Sequence, residues 1–207
     1  MKGTTLRQVF AALVFLLPSG LSPAQSPPDG HASPDSSRRF GLMFDAEVAP
    51  YFSSLSSYAE GGYTVSLGFG LNVSPLFQVG IHVYTGREKI PPGSVKPVDG
   101  WLPVGGASVE ATIFFNSGTP VRPYGSAGYG LYTIAGLDGY NGGGLHLEAG
   151  VEWDASRYFS IRGGARYSVM RFHDPTGEAY QAVGFEPFTS RLLGGAIRFA
   201  FYPGVLP

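Results

Sequence analysis

Few residues in this chain could carry chemistry. There are four histidines, His31, His82, His146 and His173, no cysteine, and a scatter of serines and carboxylates. Nucleophilic hydrolysis needs a serine within reach of a histidine base that an acid orients. A His-x-Ser run occurs at His31-Ala32-Ser33, and His173-Asp174 follows shortly after Ser168. The first sits in a Pro- and Ser-rich stretch with no periodic element to hold it, and a solvated turn accounts for His173. His146 and Glu148 stand two apart on one strand face, and with His82 they suggest a metal. A structural metal site needs three or four converging ligands, so hydrogen-bonded interior groups are the simpler account. We therefore expect no catalytic residue, no metal, no cofactor and no enzyme activity.

The elements that position these residues are strands. In GYTVSLGFGLNV (62–73), Tyr63, Val65, Leu67, Phe69 and Leu71 alternate with small or weakly polar residues, the period of a strand with two unlike faces. Eight such segments follow one another, at 39–52, 62–73, 76–87, 102–115, 121–134, 144–153, 157–171 and 189–202. Each is long for a soluble strand but suits the roughly 9–11 residues that cross a bilayer at a tilt. No stretch reaches the roughly 20 consecutive apolar residues of a spanning helix. The connections after the second, fourth and sixth segments are read as short and the others as long. That pattern fits a barrel whose short turns share one end.

One face of these segments carries residues such as Phe44, Leu67, Ile81, Val109, Leu131, Leu147, Ile161 and Phe199, none of them charged. The other holds many glycines together with Asp45, Glu47, His82, Glu110, Arg122, His146, Glu148, Glu152, Arg162, Arg166 and Arg198. A solvated face would carry lysine rather than glycine, which weakens a strand. The narrow inside of an eight-stranded barrel suits small residues beside a few long ones, and charges enclosed there must pair. The polar set is thus expected to form an interior network that fills the lumen. With the hairpin at Asp154-Ala155-Ser156 centred on Ala155, Glu148 faces Arg162. Tyr51, Phe52, Tyr63, Tyr84, Trp101, Tyr132 and Trp153 lie near segment ends, where membrane-interface aromatics are expected.

Composition agrees. The chain has 207 residues, a formal charge of -1, 31 glycines and only 14% charged residues, against roughly 25% in soluble domains. Near-neutral charge gives no reason to expect nucleic acid. Lys2 and Arg7 precede an apolar run from Val9 to Leu17, with small Ser22 and Ala24 beyond, the layout of a cleaved secretory signal. The domain reading is a signal peptide over 1–24, a disordered lead-in over 25–38, a barrel over 39–203 and a C-terminal extension over 204–207.

Two stretches carry a family resemblance. VRPYGSAGYGLY (121–132) and GLHLEAGVEWDASRYFSIRGGARYS (144–168) resemble consecutive strands of the OmpA-like outer-membrane β-barrel domains. The resemblance implies an all-β, eight-stranded antiparallel up-and-down transmembrane barrel in the outer membrane of a Gram-negative bacterium. It further implies export by the general secretory route and a structural or surface-interaction role such as anchoring, adhesion or shielding. Implied partners are outer-membrane lipid and lipopolysaccharide, the barrel-assembly machinery, and a surface ligand held by loops 88–101 and 172–187. One departure is the Pro-Gly-Val-Leu-Pro ending, where such proteins commonly finish on an aromatic residue. The rival readings are a pore for small or apolar solutes, a soluble periplasmic barrel binding an apolar ligand, and a lipid A-modifying hydrolase or acyltransferase.

Overall fold

The computed structural model describes residues 41–54, 61–90, 100–115, 119–134, 139–173 and 188–203. The expected signal peptide, the lead-in with His31 and Ser33, Asp174, most of loops 88–101 and 172–187, the side chain of Phe52 and the C-terminal extension lie outside them.

Eight strands follow in chain order: β1 (Gly41–Ser54), β2 (Gly61–Ser74), β3 (Phe77–Ile90), β4 (Gly100–Phe114), β5 (Val121–Ile134), β6 (Tyr140–Asp154), β7 (Phe159–Phe172) and β8 (Phe188–Phe201). Each pairs antiparallel with its sequence neighbours, and β8 returns to β1, so the sheet closes. Closure removes the two edges that an open sheet would leave unpaired. The alternation sets the faces directly: Leu67, Val83, Val109, Leu131 and Leu145 are exposed on the outside. The acids of the described strands are buried within, together with His82, His146, Arg122, Arg162 and Arg198. This inverts the arrangement of a water-soluble barrel, whose apolar side chains would fill the centre.

Two expectations need correction. The sixth strand begins at Tyr140 rather than 144, because Asn141-Gly142-Gly143-Gly144 lacks bulky side chains and so shows no period, yet pairs with both β5 and β7. The connection at 135–139 is consequently no longer than the one at 115–120, and the alternation of short with long connections fails there. The β6–β7 turn also closes later than expected. Ser156 and Phe159 exchange backbone hydrogen bonds (3.0 and 3.4 Å) around Arg157-Tyr158. Every partner moves by four residues, so Glu148 faces Arg166 and Glu152 faces Arg162, in place of the expected Glu148–Arg162 pair. An even shift leaves each side chain on its face, which is why the polar set stays inside although its pairing changes.

Candidate functional site: the barrel lumen

The lumen is built in layers. Nearest the short turns, Arg122 and Arg162 converge on Glu152, each donating to a different carboxylate oxygen. All three are almost completely buried. Arg122 also donates to the Pro75 carbonyl (3.1 Å) and lies 3.7 Å from Asp154. Arg162 reaches Gln78 and the Tyr202 hydroxyl (3.3 Å). Both guanidiniums lie over the Phe114 ring, at 4.2 and 5.0 Å from its centroid. Two cations facing two acids make this layer neutral.

The middle layer holds a second knot. Arg166 clamps Glu47 through two donors (2.5 and 2.6 Å) and bonds Glu148 (2.8 Å). Arg198 bridges Glu47 (2.9 and 2.6 Å) and Glu110 (2.6 and 3.1 Å). Tyr124 donates to the other oxygen of Glu148. Bidentate guanidinium–carboxylate bonds are both strong and directional, so they tie β7 to β1 and β8 to β4 across the interior.

Two further pairs in this layer have the same construction. Asp45, Gly68 and His82 stand in register across β1, β2 and β3, and Glu110, Gly128 and His146 stand in register across β4, β5 and β6. In each case the imidazole Nε2 meets the carboxylate at 3.1 Å over the intervening glycine. A Cβ on Gly68 would lie 2.3 Å from the His82 ring, and one on Gly128 would lie 2.3 Å from the His146 ring. Glycine is required there because the acid and the base reach each other along the strand wall, through space that a methyl group would fill. His146 Nδ1 also lies 3.4 Å from the Tyr132 hydroxyl.

Farther toward the long connections the lumen changes character. A cavity of about 70 Å³ opens between the charged layer and an apolar cluster that includes Tyr51, Val104, Ile134, Met170 and Leu192. Glu88, absent from the expected interior set, is buried beside it. Asp154, near Arg122, was likewise not part of that set. Parity was the available signal for Glu88, since it stands six residues from His82 on one strand and so shares its face.

The expected interface aromatics divide. Tyr63 and Trp101 point outward and lie together, ring centroids 6.5 Å apart, and Trp153 is also exposed outward. Tyr51 and Tyr132 are instead buried in the lumen, and Tyr84, half-buried, donates to the Leu131 carbonyl (2.9 Å) with its ring 5.1 Å from that of Tyr132. These three therefore do not belong to an outward girdle. Tyr51 has the parity of Asp45 and Glu47, Tyr84 that of His82, and Tyr132 that of Arg122. Alternation of Cβ direction overrides nearness to a strand end.

Among the described residues the possible catalytic and metal groupings do not assemble. Ser168 lines the cavity, whereas His173 is exposed past the end of β7 on the opposite parity. His146 is engaged by Glu110 and Glu148 by Arg166 and Tyr124. Among the described residues no cluster of three or more His, Asp or Glu is arranged to hold a metal ion.

A closed eight-stranded antiparallel barrel, apolar outside and ion-paired inside, defines the class of small outer-membrane β-barrels. Solved structures of that class align with the chain. Neisserial surface protein A matches with a TM-score of 0.51 at 19% identity, covering 79% of this chain and 97% of its own. The outer membrane protein OprG from Pseudomonas aeruginosa matches with a TM-score of 0.51 at 12% identity, covering 80% and 97%. At these identities the likeness is one of fold. No protein-family description and no curated protein matches the sequence.

Proposed function

We propose that this chain is an integral protein of a Gram-negative outer membrane, reached by secretory export, that acts as a plugged structural barrel and presents its long connections at the cell surface. The observation that carries the reading is the outer face: among the described strand residues every acid points inward, and the outside is apolar over the middle of each strand. The densely bonded layers around Glu152 and Glu47 support a lumen that is filled rather than conducting. The protein should resist extraction by alkaline carbonate without detergent, and should show no steady conductance in planar bilayers. Release by carbonate would favour the soluble ligand-binding barrel, and regular single-channel openings would favour the pore.

The outer rim gives the reading an orientation. The charged side chains on the outward faces of the described strands are Arg87, Lys89, Arg171 and Arg191, all near the long-connection end. Arg171 and Arg191 are diagonal neighbours, since Arg171 faces Thr189 and Val169 faces Arg191 across β7 and β8. Cations at the height of lipid headgroups attract anionic phosphates, which fits lipopolysaccharide in the outer leaflet as the partner. Changing Arg171 and Arg191 together to Ser should reduce by several-fold the lipopolysaccharide that co-purifies with the barrel, leaving its gel mobility before and after boiling unchanged. Equal lipid content in both proteins would remove this rim from the reading.

A further inference from the structure

The interior charges do not balance at every level. Near the short turns two arginines face two acids. In the middle layer Arg166 and Arg198 face three glutamates, and the two histidines supply further partners. Beyond them, toward the long connections, Glu88 stands without a cation.

Glu88 is 1% exposed. One oxygen accepts a long hydrogen bond from Tyr51 (3.4 Å), and the other, Oε2, has no hydrogen-bond partner among the described residues. A buried carboxylate in that position is costly unless something compensates it. Beside it lies the cavity of about 70 Å³, well above the roughly 10–15 Å³ that a single water needs by a comparable measure. Tyr51, Tyr84, Tyr132, Met170 and Leu192 line the cavity with Glu88, together with Thr64 and Ser66 and with the ion-paired Glu47, Glu110, Arg166 and Arg198 of the middle layer. The tyrosine hydroxyls are already turned to Glu88, to the Leu131 carbonyl and to His146.

From the unpartnered Glu88 oxygen and the three tyrosines that line this cavity, we infer that the outer half of the lumen is a binding site for a small alkylammonium ion. The ammonium group sits against Glu88 Oε2 and its short alkyl part lies among Tyr84, Tyr132, Met170 and Leu192. Aromatic faces attract organic cations. An inorganic cation suits the site less well, because hard cations take several oxygen ligands and the other two carboxylates lining the cavity, Glu47 and Glu110, are already held by Arg166 and Arg198. The site belongs to the lumen and does not depend on any role of the surface connections.

The methionines make the test local. Met170 lines the cavity, while Met43 is buried near the short turns beside Gln78 and so serves as an internal reference. The full chain, labelled with ¹³C at the methionine methyls, is folded in non-ionic maltoside micelles in phosphate buffer, so that neither detergent nor buffer carries an ammonium group. Titration with n-propylammonium should shift the Met170 methyl signal saturably and leave Met43 in place. n-Propanol, and potassium at matched ionic strength, should leave Met170 unmoved. Glu88→Gln, which keeps size and shape, should weaken the n-propylammonium response at least tenfold. The inference is overturned if Met170 fails to respond, if propanol or potassium produces the same saturable shift, or if the Gln variant binds as the parent does. Should that variant not fold, the contrast between Met170 and Met43 in the parent protein with the three additives decides the question alone.

Discussion

Glu152→Ala is expected to lower the stability of the folded barrel by about 3–5 kcal/mol, the cost of removing one partner from a well-buried ion pair. The site concentrates the effect, because Arg122 and Arg162 both depend on this carboxylate and all three side chains are closed to solvent. Without it the layer nearest the short turns passes from two cations and two acids to a net positive charge. Arg122 keeps the Pro75 carbonyl and a longer approach to Asp154, and Arg162 keeps Gln78 and Tyr202. None of these replaces a carboxylate held between two guanidiniums. The measurement is the urea midpoint for unfolding from lipid vesicles, followed by the change in gel mobility between folded and boiled protein. Glu152→Gln should fall between parent and Ala, since it accepts a hydrogen bond but carries no charge. An Ala variant with the parent's midpoint would mean that the layer contributes nothing to holding the barrel closed.

The second large effect is expected from a single methyl group. Gly128→Ala places a Cβ 2.3 Å from two atoms of the His146 ring and 2.8 Å from the Val109 carbonyl oxygen. The imidazole must leave the strand wall, and with it goes the hydrogen bond to Glu110. Overpacking a close-packed interior costs about 1–3 kcal/mol, and a buried polar group left without its partner costs a similar amount. A total of about 2–6 kcal/mol follows from the two together, visible in the same urea titration. Gly163→Ala is the matched control. It lies on β7 with the outward parity, and a Cβ there meets nothing within 4 Å, so its effect should stay within about 0.5 kcal/mol. Equal effects at the two positions would show that glycine serves the backbone of this barrel generally rather than the close approach of acid to imidazole.

Much of this arrangement is visible in the residue order. The period of two in segments such as 62–73 depends only on the alternation of Cβ direction, so it shows without knowledge of any partner strand. It separates the greasy side from the charged side and places Glu47, Glu110, Arg162 and Arg198 together on the latter. The same parity, applied along whole strands, also places Glu88, Tyr51, Tyr84 and Tyr132 inside. Reading aromatics by their distance from strand ends points the other way for these three tyrosines. Where the period is interrupted, as in Asn141-Gly142-Gly143-Gly144, the strand can be recognised only through its neighbours, because glycine has no side chain to mark a face.

The sequence by itself determined that eight two-faced strands follow one another and which side chains share each face. Those features arise from covalent geometry and from the choice of residue at alternate positions. The tertiary structure alone decided who meets whom: that Glu152 lies between Arg122 and Arg162, that Glu148 faces Arg166, and that two acid–glycine–histidine rows stand at one level. Register depends on where each turn closes, and a turn moved from Ala155 to Arg157-Tyr158 shifts every partner while leaving every face unchanged. Contacts across the lumen also require the sheet to close upon itself, a condition that no single segment records.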